Sequence, residues 1–191
     1  MTDASGTPIA LLFDQYRYQV GYNDIAPDMI RAIISIEDRR FLEHDGVDWK
    51  GTIRAALKNS SSGEVQQGAS TLDQQYIKNY YVDTTSSYSG KFKQAIMAIK
   101  IDREKPKKEI LGDYLNTVYY GRGAYGIEAA SQAFFGHPAK EMKPSEAALL
   151  AGILPSPSAW DPAENRRLTE DLEIMRRASI FFAGELDPRN R

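Results

Sequence analysis

The chain has no cysteine, only two histidines and no long apolar run. Without cysteine it cannot form disulfides, use a thiolate nucleophile or bind zinc through sulfur. With His44 and His137 as the only imidazoles, we expect no His-based metal site. No stretch approaches the roughly 20 consecutive apolar residues that cross a bilayer, and residues 1–14 lack the charged-then-apolar order of a signal peptide. We therefore do not expect this chain to be an integral membrane protein.

Net charge is nearly absent as well. The formal charge is -2 and the isoelectric point is near 5.8, so the chain has no broad basic surface and we expect no nucleic-acid partner. Its 191 residues, 42% of them hydrophobic, are enough to bury a core as one domain or as two lobes that share a cleft.

What the chain does contain is a succession of helical patterns, which predicts a mostly α fold. Apolar residues recur at helical spacing from Pro27 to about Phe41, and Ser70 with Asp73 has the spacing of a capping box that begins another helix. Short extended segments are expected between residues 8 and 21. Further helices are predicted at residues 49–58, 71–80, 91–102, 107–118, 127–134 and 145–154, with loops or turns at 59–63, 84–90 and 121–126.

A carboxylate lies on the apolar stripe of the first predicted helix. Glu37 follows Ile33 by four residues and Ile30 by seven, which places it on the same helix face. Partial burial there would raise its pKa toward the range in which it accepts a proton from a hydroxyl. The alternative is an interior glutamate held in a structural salt bridge.

Several polar residues gather where this first helix is expected to end. Asp38, His44 and Asp48 follow Glu37 closely, as at the edge of a cleft. His44 could shuttle protons, but with a single distant second histidine we interpret it as a hydrogen-bonding, structural residue.

A polar stripe marks the helix predicted at residues 71–80. Thr71, Gln75 and Lys78 recur at intervals of four and three residues and so share a face that suits a phosphate. Lys91 and Gln94 are again three apart, and Lys91 with Lys78 could form a cationic wall for a diphosphate leaving group. Taken singly, each is ordinarily a solvated surface residue.

These motifs resemble those of glycosyltransferase family 51, the peptidoglycan glycosyltransferases of class A penicillin-binding proteins and monofunctional transglycosylases. The resemblance spans about residues 24–162 and rests first on EDRRFLEHDGVD at 37–48 and GASTLDQQYIKN at 68–79. Further support comes from the segments at residues 108–116, 121–126, 134–136 and 146–152.

The resemblance implies a lysozyme-like helical head lobe with a smaller, membrane-associating jaw lobe. It also implies the reaction: the 4-hydroxyl of lipid II attacks C1 of the growing chain's terminal sugar, forms an inverted β-1,4 bond and releases undecaprenyl pyrophosphate. It further implies work at a membrane surface, on the extracytoplasmic face of the bacterial membrane, and binding of moenomycin-type inhibitors. We expect residues 1–191 to be a single domain excised from a larger membrane-anchored protein.

The resemblance also implies roles for individual residues. Glu37 would be the general base, and Asp38 would assist or orient it. The substrate-binding positions implied are Phe41, His44, Gly68, Ser70, Thr71, Gln75, Lys78, Asn79 and Lys91.

The third motif departs from the family pattern. Arg-Lys-x-x-Glu appears here as GKFKQ at residues 90–94, so Gln94 occupies a catalytic position with a neutral amide. A divalent cation, Mg²⁺ or Mn²⁺, is implied by the resemblance, but at this position it would lose a carboxylate ligand.

Two other functions fit parts of the sequence. A catalytically weakened or inactive module that binds lipid II as a scaffold is suggested by Gln94. A lysozyme-like hydrolase is suggested by the single cleft carboxylic acid, although the polar stripe with Gln75 and Lys78 suits a diphosphate that a hydrolase does not need.

Overall fold

The computed structural model describes residues 16–54, 70–80 and 88–162, and most of these residues are helical. The predicted mostly α fold is therefore confirmed. None of the described helices is long and apolar enough to cross a bilayer. The longer helices are α1 (Pro27–Glu37), α2 (Leu72–Tyr80), α3 (Tyr88–Glu104), α4 (Lys107–Thr117), α5 (Ile127–Phe135) and α6 (Pro144–Ile153).

Short elements join these helices. Strands β1 (Tyr16–Arg17) and β2 (Ala124–Tyr125) pair in parallel, and 3₁₀ turns lie at Tyr22–Asp24 and Ala139–Glu141. Residues 49–54 form the start of the helix predicted at 49–58; its remainder, the loop at 59–63 and Gly68 lie outside the described residues. α3 begins at Tyr88, so the loop predicted at 84–90 was wrong for its last three residues.

The core forms where α1 packs against α6 and where α2 packs against α3 and α4. α6 is apolar on almost every side and is largely buried, as expected for a central helix. α1 buries one face only, through Met29, Ile30, Ala32 and Ile33. The C-terminal end of α1 therefore leaves the core with Glu37 at its boundary.

α1 ends four residues before the predicted end. Asp38 leaves the helical conformation with φ -155° and ψ 81°, while its N–H still donates to the Ile34 carbonyl at 3.1 Å. Phe41, which extended the apolar spacing, is fully buried from the turn that follows. Because Phe41 reaches the core from the turn, apolar spacing alone could not locate the end of the helix.

The capping box of α2 also differs from the prediction, by one residue. Thr71, directly before the helix, accepts a hydrogen bond from the Gln74 N–H at 3.3 Å, and its own N–H donates to Gln74 Oε1 at 2.9 Å. The box predicted from Ser70 and Asp73 was therefore wrong: Ser70 is exposed, and Asp73 is buried beside Lys107. Thr71 with Gln74 has the full S/T-x-x-E/Q spacing of a capping box, whereas Ser70 with Asp73 has an aspartate at the last position.

A glycine joins the turn after α1 to two helices. Gly46 has φ +80°, and a Cβ there would lie 2.5 Å from the carbonyl oxygen of Ala98 in α3. Its own carbonyl accepts a hydrogen bond from Thr71 Oγ1 at 2.7 Å. Only a residue without a side chain allows this approach, which brings the turn, α2 and α3 together.

Candidate active site

A cleft of about 540 Å³ opens where α1 ends and α2 begins. It contains three carboxylates and three guanidinium groups, so its formal charge is balanced. Its walls are residues 36–40, Asp48, Gly51, Thr52, Arg54, Ser70, Thr71, Gln75 and Pro155.

Glu37 is half-buried at the edge of this cleft and contacts the helix opposite. Gln75 donates from Nε2 to Glu37 Oε2 at 2.8 Å. On its other side, the Gln75 carbonyl Oε1 accepts a hydrogen bond from the hydroxyl of Tyr114 at 3.1 Å. The acid predicted on the apolar stripe thus lies beside a residue of the predicted polar stripe.

Burial is the main cause of a raised pKa at the Glu37 carboxyl. The hydrogen bond from Gln75 acts in the opposite direction, and the neighbouring charge of Asp38 raises the pKa further. No salt bridge to Glu37 is found among the described residues. The alternative of a structural salt bridge therefore lacks a described partner, and the balance of effects favours a carboxylate that can take up a proton.

Asp38, the next residue, turns away into the protein. Its Oδ2 lies 2.8 Å from His44 Nε2 and accepts a hydrogen bond from the Leu72 N–H at 3.1 Å. Leu72 begins α2, so Asp38 satisfies one of the unpaired amides at that helix start and places a negative charge at its positive end. Asp38 thereby connects the end of α1 to the helix that carries Gln75.

Behind this link lies a buried ionic cluster. Lys107 lies 3.3 Å from Asp73 Oδ2 and 2.5 Å from Asp102 Oδ1, and its ammonium is 4.5 Å from the centre of the Phe41 ring. Burial raises the pKa of Asp73 to about 6, although Lys107 acts to lower it. Phe41 and His44, both predicted to bind substrate, are buried next to this cluster.

Some of the remaining predicted site residues line the cleft and others do not. Ser70, Thr71 and Gln75 line the cleft. Exposed Lys78, Asn79 and Lys91, and half-buried Gln94, are not among its described lining residues. α2 and α3, which carry these four residues, pack against each other.

Sequence reasoning missed the arginines of the cleft. Arg39 and Arg54 are exposed on its walls, and Arg40 is paired there with Asp48 at 2.8 Å. Two of the three are adjacent to the predicted acid within one motif, which was the available signal. Pro155 was not predictable, because only the return of the chain after α6 brings it to the cleft.

One group of potential metal ligands occurs in the part of the chain that the structure describes: Asp38, His44 and Asp73. One ligand atom from each lies within 4.8 Å of the others, and within the described ranges His44 Nδ1 and Asp73 Oδ1 have no hydrogen-bond partner. However, the ammonium of Lys107 already lies beside Asp73, and all three residues are buried. This group does not suit a cation that must meet a substrate in the cleft.

The profile of one protein family, described as transglycosylase, matches residues 5–181. The chain belongs to this family. Among its relatives, penicillin-binding protein 2D of Bacillus subtilis (strain 168) is 43% identical over 153 residues, which is 80% of this chain and 22% of that protein.

Two further relatives are named penicillin-binding protein 1A. That of Aquifex aeolicus (strain VF5) is 40% identical over 160 residues, 84% of this chain and 22% of the relative. That of Pseudomonas aeruginosa is 39% identical over 160 residues, 84% of this chain and 20% of the relative. The transglycosylase chain thus spans about a fifth of the length of these relatives.

Proposed function

We propose that this transglycosylase polymerises lipid II into β-1,4-linked glycan strands, with Glu37 as the general base. The 4-hydroxyl of lipid II forms the new bond to C1 of the growing chain's terminal sugar. The bond from C1 to the diphosphate breaks, and undecaprenyl pyrophosphate leaves with its electron pair. The observation that carries the proposal is the half-buried Glu37 carboxyl at the cleft edge, held by Gln75.

The proton moves to Glu37 during attack. Since Gln75 occupies Oε2, the other carboxylate oxygen, Oε1, takes the proton from the sugar hydroxyl. Burial supports this step because it favours the protonated, neutral carboxyl over the ionised one more than water would. Asp38 supports it by fixing the end of α1 against the start of α2.

The departing diphosphate requires positive charge. The planar guanidinium groups of Arg39 and Arg54 are on the cleft wall and match phosphate oxygens in geometry. The ammonium groups of Lys78 and Lys91, predicted for this role from the sequence, would add to the arginines from the exposed sides of α2 and α3. Ser70 and Thr71 complete the polar wall next to Gln75.

Neither of the two positions considered for a divalent cation suits one. Gln94 offers a neutral amide, and the Asp38, His44 and Asp73 group is buried with an ammonium beside it. Stabilisation of the leaving group is therefore assigned to the basic side chains.

The lipid anchor of the substrate requires access to a membrane surface. Leu42, Trp49 and Ile53 are each more than half exposed, and the last two lie one turn apart on the helical residues 49–54 that also line the cleft. Apolar side chains so placed support docking of this side at the extracytoplasmic face of the bacterial membrane. Moenomycin-type inhibitors would then compete for the same cleft.

Polymerisation of labelled lipid II in detergent by the purified protein tests the proposal. We expect Glu37→Gln, which keeps the shape of the side chain, to lower polymer formation by at least about 100-fold while lipid binding persists. Glu104→Gln is the matched control, because Glu104 is exposed in a long, weak ion pair and should leave the rate unchanged. Unchanged polymerisation by Glu37→Gln would refute the base assignment.

Lipid II binding, polymerisation and reducing-end release from finished peptidoglycan, measured on the same protein, separate the other candidate functions. A scaffold module, suggested by Gln94, binds lipid II without turnover, and Gln94→Glu would then create or raise activity. A hydrolase releases reducing ends from finished peptidoglycan, which a transglycosylase of this mechanism does not.

A further inference from the structure

A fully buried phenol lies behind the Glu37–Gln75 pair. Tyr114 belongs to α4 and is 0% exposed, so it cannot touch a substrate in the cleft. Its hydroxyl is nevertheless 3.1 Å from Gln75 Oε1, while Gln75 Nε2 is 2.8 Å from Glu37 Oε2. One amide thus joins a buried hydroxyl to the acid at the cleft edge.

The chemistry of the three groups allows one arrangement when the acid is ionised. A carboxylate can only accept hydrogen bonds, so Gln75 must present its NH₂ group to Glu37. The amide carbonyl then faces Tyr114, whose hydroxyl must donate. With the amide turned by 180°, a carbonyl oxygen would face the carboxylate, and two acceptors would be in contact without a proton between them.

We propose that Tyr114 is a positioning residue: its hydroxyl fixes the Gln75 amide so that an N–H of that amide always faces Glu37. This inference rests on the proposed function, in which Glu37 is the base. Without the hydroxyl of Tyr114, the carbonyl of Gln75 would lose its buried donor, and only the contact with Glu37 would orient the amide. The hydrogen bond to the acid would then be less firmly directed while every residue of the cleft wall stayed in place.

Weakening the hydrogen bond from Gln75 should change the pKa of Glu37 in one direction. The hydrogen bond from Gln75 lowers the pKa of Glu37, against burial and Asp38, which raise it. The phenols of Tyr114 and Tyr120 are within electrostatic reach of Glu37. The cleft side adds the charged groups Arg39, Arg40, Arg54 and Asp48. The charged groups and the phenol of Tyr120 remain when Tyr114 becomes phenylalanine, so a weaker hydrogen bond from the Gln75 amide should raise the pKa of Glu37 and move the acidic limb of the rate profile to higher pH.

Tyr114→Phe and Tyr120→Phe form a matched pair for the test. Tyr120 is also a fully buried phenol, but its hydroxyl has no hydrogen-bond partner within residues 16–54, 70–80 and 88–162. The Glu37 carboxyl would be titrated by NMR in protein carrying ¹³C-labelled glutamate, with Glu37→Gln for assignment. We expect Tyr114→Phe to raise the midpoint by roughly half a unit to one unit, and Tyr120→Phe to leave it unchanged.

A second background tests whether Tyr114 acts through the amide. Gln75→Leu should raise the midpoint by itself, and adding Tyr114→Phe to it should give no further shift. An unshifted midpoint in Tyr114→Phe, or a further shift in the double variant, overturns the proposal. In the unaltered protein, a Gln75 side-chain amide resonance should follow the Glu37 titration; an amide that does not respond also contradicts it.

The titration separates this inference from the function on which it rests. It requires no substrate, so it reports on Tyr114 even if the protein does not polymerise lipid II. Absence of polymer from the unaltered protein would contradict the proposed function alone. Polymerisation with identical titration in all variants would contradict the positioning role alone.

Discussion

Replacing Gly46 by alanine tests how closely the turn after α1 must approach α3. The residue has φ +80°, and the added Cβ would lie 2.5 Å from Ala98 O, 2.6 Å from Ala98 C and 2.7 Å from Ile99 N. All three atoms belong to the backbone of α3, so no side chain can rotate to relieve the contact. Either α3 or the turn must move.

Gly123 provides the control for backbone conformation. It has φ +72°, but a Cβ there meets nothing within 4 Å. Alanine at either glycine should cost about 1 kcal/mol for the left-handed conformation. Gly46→Ala should cost a further ~2 to 3 kcal/mol for overpacking against a rigid helix, giving a total of about 3 to 4 kcal/mol.

Urea unfolding of the two variants and the unaltered protein measures this difference. The midpoint should fall much further for Gly46→Ala than for Gly123→Ala, with similar slopes. Since the Gly46 carbonyl also accepts from Thr71, polymerisation should decline with Gly46→Ala as the cleft wall shifts. Equal losses of stability in the two variants would show that the close approach to Ala98 contributes nothing.

Two further predictions concern α2. Thr71→Val should lower the free energy of unfolding by about 1 to 2 kcal/mol, because the helix loses its cap, whereas Ser70→Ala should have almost no effect. Denaturant unfolding of both variants distinguishes the two capping registers. A larger effect of Ser70→Ala would contradict the assignment of Thr71 as the cap. The pKa of Asp73 rises from 3.8 to about 6 on folding. The folded state therefore binds this proton more tightly, and the stabilisation is lost as pH rises between those values. The unfolding free energy of Asp73→Asn, relative to the unaltered protein, should increase from pH 4 to 7 by on the order of 2 kcal/mol; a difference independent of pH would refute the assignment.

Much of the fold could be predicted because helical periodicity follows burial. The apolar spacing placed α4 and α6 to within one residue at each end, and α1 at its start. Its errors were at helix ends. Two neighbouring hydroxyl residues, Ser70 and Thr71, precede α2, and Thr71 caps the helix through Gln74 while its hydroxyl also contacts Gly46.

Helical periodicity also made part of the cleft predictable. Glu37 and Gln75 each belong to a helix face that the sequence displays, but their contact spans 38 positions and depends on how α1 and α2 pack. Tyr114 was seen only as part of a motif, since nothing in its local sequence shows that its hydroxyl faces an amide in another helix. Long-range polar contacts of this kind have no periodic signal.

Glu37 and Asp38 both form hydrogen bonds to α2, and this shared dependence makes the site cooperative. One of these consecutive acids meets Gln75, and the other receives the first amide of the helix that carries Gln75. Local opening of residues 70–80 would therefore break both contacts in a single event. A partly ordered chain would then lose the hydrogen bond to Glu37 and the cleft wall at residues 70–75 together, so the proposed proton abstraction should cease before the rest of the core is lost.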